Sequence, residues 1–63
     1  MKYLVGEARY EKGMSVRQLA ERANISKSYL QRIEAGEANP SLEIMVRLAR
    51  VLELPLEHLY RVE

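Results

Sequence analysis

Lys27, Ser28, Gln31 and Arg32 are spaced so that a helix would carry them on one side. At about 100° per residue, the same helix turns Leu30 and Ile33 to the opposite side. The outer face then offers two basic groups, an amide and a hydroxyl, and no acid, in a chain with nine acidic residues. These groups hydrogen-bond base edges in the DNA major groove: Arg and Lys to guanine, Gln to adenine, Ser to several bases. Every surface helix has a solvated polar face, so an ordinary surface is the competing reading. The lack of any glutamate on this face favours base recognition. Tyr29 lies on the flank, where its hydroxyl could meet a phosphate oxygen or its ring could pack at the edge of the core; the residues leave both open. Ser15 and Arg17 open the preceding helical segment, whose free backbone amides suit a phosphate group, with Arg17 adding charge.

Other chemistries are poorly supplied. The chain has one histidine, no cysteine and no aspartate. No nucleophilic triad or catalytic metal site can be assembled from it. A structural zinc site draws most of its four ligands from Cys and His, and His58 alone cannot supply them. There is no glycine-rich phosphate loop. Neither enzymatic activity, a cofactor, a metal nor a small-molecule ligand is expected, and His58 reads as a surface residue.

The net charge of +1 says little, but its distribution says more. Residues 1–32 hold seven Lys/Arg against three Glu, a balance of +4; residues 33–63 hold three Arg against six Glu, a balance of −3. A basic half and an acidic half suit an anionic partner for the first.

The elements that must position these groups are marked by helix punctuation. Strand signals are nearly missing. A first helix is expected from about Lys2 to Lys12, with Met1, Val5, Ala8 and Lys12 on one face and Gly13 after it. Gly6 lies inside it, at a cost of about 1 kcal/mol relative to Ala. Ser15 and Gln18 form a capping box for a second helix with the apolar stripe Val16, Leu19, Ala20 and Ala23. Asn24 tolerates the left-handed backbone of a tight turn. Ser26 caps a third helix that runs to about Ala35, and Gly36 closes it. Pro40 breaks the chain, and Ser41 caps a fourth helix with Leu42, Met45, Leu48, Ala49 and Leu52 on one stripe. Pro55 is placed at the first position of a short fifth helix containing Leu56, Leu59 and Tyr60. The expectation is therefore an all-α, five-helix bundle in a single domain spanning 1–63. Its second and third helices, at about 15–35, form a helix-turn-helix. With 63 residues and no disulfide, it must be held by aliphatic packing.

The stretches Ser15-Val16-Arg17-Gln18-Leu19-Ala20-Glu21, Ile25 through Gly36 and Asn39-Pro40-Ser41-Leu42, with Leu48 through Leu52, resemble the Cro/cI, or XRE, family of phage and bacterial repressors. The likeness covers nearly the whole chain, as separate motifs in order and at the right spacing. It implies a five-helix, lambda-repressor-like fold and a homodimer on a pseudo-palindromic site in double-stranded DNA. Lys27, Ser28 and Arg32 match the family's base-reading positions. Ser15, Tyr29 and the loop through Asn39 and Ser41 match its phosphate-contacting positions. The resemblance also implies a structural ion pair between Arg9 and Glu34. This chain departs from the family at Val16, where Gln is common, and at Asn24 and Glu53, where Gly is common; the fourth helix is expected to close less sharply at Glu53.

A transcriptional repressor or small regulator is the expected function. The competing reading is an antitoxin-like or adaptor module that holds another protein: Leu56, Leu59, Tyr60, Val62 and an exposed Val46 could form a partner or dimer surface, unless Leu56 and Leu59 simply close the core. No apolar run approaches the roughly 18 residues needed to span a bilayer, and no signal peptide is evident, so a cytoplasmic location without membrane contact is expected.

Overall fold

Three of the four helices begin at a serine whose hydroxyl accepts a hydrogen bond from the third residue of the first turn. In a computed structural model describing Met1–Glu63, Ser15 caps Gln18 at 3.0 Å, Ser26 caps Tyr29 at 3.0 Å and Ser41 caps Ile44 at 3.2 Å. At Ser15 the box is reciprocal, since the serine amide donates to Gln18 Oε1 at 2.9 Å. These caps start α2 (Val16–Ala23), α3 (Lys27–Glu34) and α4 (Leu42–Leu52).

All four helices end alike. Gly13, Asn24, Gly36 and Glu53 each take positive φ. The next amide then reaches back across the last turn: Met14 to Arg9, Ile25 to Ala20, Glu37 to Arg32 and Leu54 to Ala49. This is the 6→1 bond of a Schellman closure, which satisfies carbonyls that the helix end would otherwise strand. Glu53 adopts φ 57°, ψ 44°. Contrary to the sequence expectation, α4 closes as sharply there as α2 does at Asn24 (φ 58°, ψ 47°).

The ends of the chain differ from expectation. The first helix, α1, starts at Val5 and ends at Glu11. Lys2–Tyr3 instead form a short strand, β1, antiparallel to β2 (Tyr60–Arg61), with Lys2 opposite Arg61 and Tyr3 opposite Tyr60. The Leu4 amide extends the ladder by donating to the Leu59 carbonyl at 2.8 Å. Leu4 supplies no side-chain cap, so nothing in the side chains holds residues 2–4 in a helical turn, whereas β2 offers backbone partners. The expected fifth helix reduces to one 3₁₀ turn, Leu56–His58, because the chain straightens into β2 after that turn; Pro55 is the residue before the turn (ψ 146°) and not its first helical position. The architecture is four α-helices with a two-stranded clip joining residues 2–3 to 60–61.

The core is wholly apolar. Val5, Leu19, Leu30, Ile33, Leu48, Leu52 and Leu59 are its largest fully enclosed side chains, and no polar side chain is buried. The small residues Ala20, Ala23 and Ala49 are buried among them, in the helices α2 and α4 that pack on each other. Leu42, placed on the core stripe by its spacing, is 69% exposed, because it lies in the first turn of α4 beyond the packed region. Val46, expected to be exposed, is half-buried.

Candidate nucleic-acid interface

The inner side of α3 is fixed completely: Leu30 and Ile33 have no exposed surface. The alternation of burial along the helix therefore sends Lys27, Ser28, Gln31 and Arg32 outward, and all four are exposed. The only acid in α3 is Glu34, and it does not share that face. Its carboxylate receives Arg9 Nε at 2.8 Å and a second guanidinium nitrogen of Arg9 at 3.1 Å. A third Arg9 bond goes to the Met14 carbonyl at 2.9 Å. One side chain on α1 thus ties the C-terminal end of α3 to the turn between α1 and α2. The two side chains retain 19% and 15% exposure. The hydrogen bond to Glu34 raises the Arg9 pKa above its ordinary value; burial opposes this, and the Glu34 charge adds to it. Arg9 is therefore charged throughout the range in which proteins are studied, and the pair's contribution from this side is lost only above the usual arginine range.

Gly6 leaves room for this pair. A Cβ at that position would stand 3.1 Å from Glu34 Oε1 and 3.4 Å from its carboxyl carbon. From its own helix alone, Gly6 is only a weak helix residue. Its role as a seat for Glu34 depends on a partner remote in sequence, and no local signal carries it.

The remaining cations on the two helices are unpaired. Arg9, Arg47 and Arg61 are the basic residues that form ion pairs. Arg17, Arg22, Lys27 and Arg32, the four cations of α2 and α3, are exposed and form none. Arg22, not singled out from the sequence, adds to this unneutralised charge from the last turn of α2. Ser15 and Ser41 are exposed, but their hydroxyl oxygens already serve as helix caps. Asn39 is exposed in the loop before α4. Tyr29 is half-buried, with its ring against the core. The groups lie on connected elements: α2 and α3 pack together across the Asn24 turn.

A family model described as helix-turn-helix matches residues 5–59. The chain belongs to the XRE-type helix-turn-helix family. It is similar to the HTH-type transcriptional regulator SlrR of Bacillus subtilis, with 41% identity over 56 residues, 87% of this chain and 37% of SlrR. It also resembles the restriction-modification controller protein C.AhdI from Aeromonas hydrophila, at 32% identity and a TM-score of 0.85 over 89% of this chain and 85% of that one. A crystal structure of SinR, the master regulator for biofilm formation, in complex with DNA is 37% identical with a TM-score of 0.79, over 84% of this chain and 86% of that one. The chain spans half or less of the length of SlrR and of Bacillus subtilis SinR. The four-helix frame is what this chain shares with these solved structures. No helix of this chain is long and apolar enough to cross a membrane.

Proposed function

We propose that residues 1–63 form one DNA-binding module that recognises a specific double-stranded sequence through the major groove and serves a transcriptional repressor or small regulator in the cytoplasm. The observation that carries this reading is the outer face of α3: four exposed donors, no acid, and a neighbouring helix whose cations are also unpaired. Lys27, Ser28, Gln31 and Arg32 are assigned to base edges, where Arg and Lys read guanine and Gln reads adenine. Ser15, Arg17, Tyr29, Asn39 and Ser41 are assigned to the phosphates. Because the Ser15 and Ser41 oxygens are engaged as caps, what those sites offer a phosphate is the hydroxyl hydrogen and the free amides of the helix start. Arg9 and Glu34 hold α3 at its angle and touch no DNA. Two copies bind adjacent half-sites of a pseudo-palindrome, as protein two-fold symmetry and operator symmetry match in helix-turn-helix proteins.

Selection of bound sequences from a random duplex pool tests this reading. A motif with two inverted half-sites about one helical turn apart is the expected result. Recovery of no enriched sequence would overturn sequence-specific recognition.

A further inference from the structure

The stretch from Ala35 to Leu42 holds two of the groups assigned to phosphates, Asn39 and Ser41, yet it contains no Lys or Arg. Its one charged residue is Glu37, which is exposed. The helices α2 and α3 present four free cations; this stretch presents none. A hollow of about 240 Å³ beside it holds the missing charge. Its walls include Gly36 and Asn39 from the loop and Lys2 from β1. We propose that Lys2 is a further DNA contact, whose ammonium binds the same stretch of sugar-phosphate backbone as Asn39 and supplies the cation that the α3–α4 loop lacks. The proposal deepens the DNA reading above and rests on it.

Three observations select a phosphate for Lys2. The first is the charge balance of the hollow. Two carboxylates line it, Glu34 and Glu63, and each faces an arginine. Glu34 holds Arg9 at 2.8 Å, and Glu63 stands 3.9 Å from Arg61. Lys2 is exposed and pairs with neither. The second is the register of the clip, which sets Lys2 directly opposite Arg61. Like charges opposed across a strand pair repel, and an anion seated beside Lys2 relieves that repulsion. The third is orientation. Tyr3 packs against the core, and successive side chains of a strand point to opposite faces, so Lys2 turns away from the core. Its backbone is held by pairing with β2, so the ammonium projects from an ordered base. A lysine ammonium is a compact point charge, suited to a phosphate rather than to planar, two-pronged recognition.

Salt dependence separates this role from a structural one. The full chain, Lys2→Gln, Lys2→Arg and Arg50→Gln are titrated at several salt concentrations against a duplex with one selected half-site and against a random duplex. Arg50 is an exposed cation in the last turn of α4, about 12 Å along the helix axis from Leu42. Lys2→Gln is expected to weaken binding to both duplexes alike, roughly five- to ten-fold near 0.1 M salt, and to make the slope of log K against log salt shallower by about 0.9. Lys2→Arg is expected to restore both values, and Arg50→Gln to leave them unchanged. An unchanged slope in Lys2→Gln would overturn the proposal. A loss confined to the preferred duplex would also overturn it, because a phosphate contact carries no sequence information. An equal loss in Arg50→Gln would reduce the effect to net charge and refute the contact. A flat salt response in the unsubstituted chain would instead refute the DNA reading itself. Position is read independently: the chain has no cysteine, so an iron–EDTA chelate can be attached at Lys2→Cys or Arg50→Cys alone. The Lys2→Cys conjugate is expected to cut the DNA backbone at one place per half-site, and the Arg50→Cys conjugate nowhere. Equal cutting from both positions, or none from a bound Lys2→Cys conjugate, would remove Lys2 from the interface.

Discussion

Arg32 and Glu53 are exposed residues with opposite expectations. Arg32 stands on the outer face of α3 with no carboxylate partner. Arg32→Ala is expected to weaken binding to the preferred site by about 1–3 kcal/mol and to relax selection at one base position. Titration against preferred and random duplexes checks this, since equal losses on both would reduce Arg32 to a phosphate contact. Glu53 closes α4 in the left-handed region, where a side chain costs roughly 1–2 kcal/mol. Glu53→Gly relieves that strain but adds freedom to the unfolded chain. The net expectation is about 1 kcal/mol of stabilisation with DNA binding unchanged, read from urea unfolding. Asn24 holds the equivalent position in α2, but its short polar side chain tolerates the conformation better, so Asn24→Gly should gain less.

At the scale of elements, the position of α3 depends on Gly6, Arg9 and Glu34 together. Replacing Gly with Ala in an open helix adds about 1 kcal/mol. Here the added methyl would meet a carboxylate that Arg9 holds with two bonds, so it cannot move aside freely. Gly6→Ala is expected to lose that gain or destabilise the protein, and to recover it when combined with Glu34→Ala. Glu34→Ala alone strands a mostly buried guanidinium, at about 3 kcal/mol, the low end for broken buried pairs because both partners keep some water. A four-way cycle of unfolding curves measures the coupling; additive effects would refute it. The parts legible in the sequence share one property: their cause is local. Ser15, Ser26 and Ser41 announce three helix starts within four residues, and Asn24 and Gly36 announce two ends. The outward face of α3 follows from the period of Leu30 and Ile33. The clip between β1 and β2 was illegible because each strand has two residues, too few for an alternating pattern, and its partners lie at opposite ends of the chain. Pro55 carried the fifth-helix expectation, yet proline's fixed φ serves an extended residue equally well. The seat at Gly6 was hidden for the same reason as the clip.

Over the whole molecule, the charge balance read along the sequence becomes a surface with free cations on α2 and α3. A dimer touching about six phosphates should show log K falling against log salt with a slope near −5. Fluorescent-duplex titrations at several salt concentrations measure the slope, and a flat response would rule out phosphate neutralisation. A single copy on one half-site should give about half that slope. The β1–β2 clip extends through the Leu4 amide, which is bonded to the Leu59 carbonyl. Proton exchange at Leu4 is therefore gated by events at the far end of the polypeptide: loosening Tyr60 and Arg61 must also unlock the entrance to α1. The two tips should open as one cooperative unit, with matching deuterium uptake, while the interior helices stay protected.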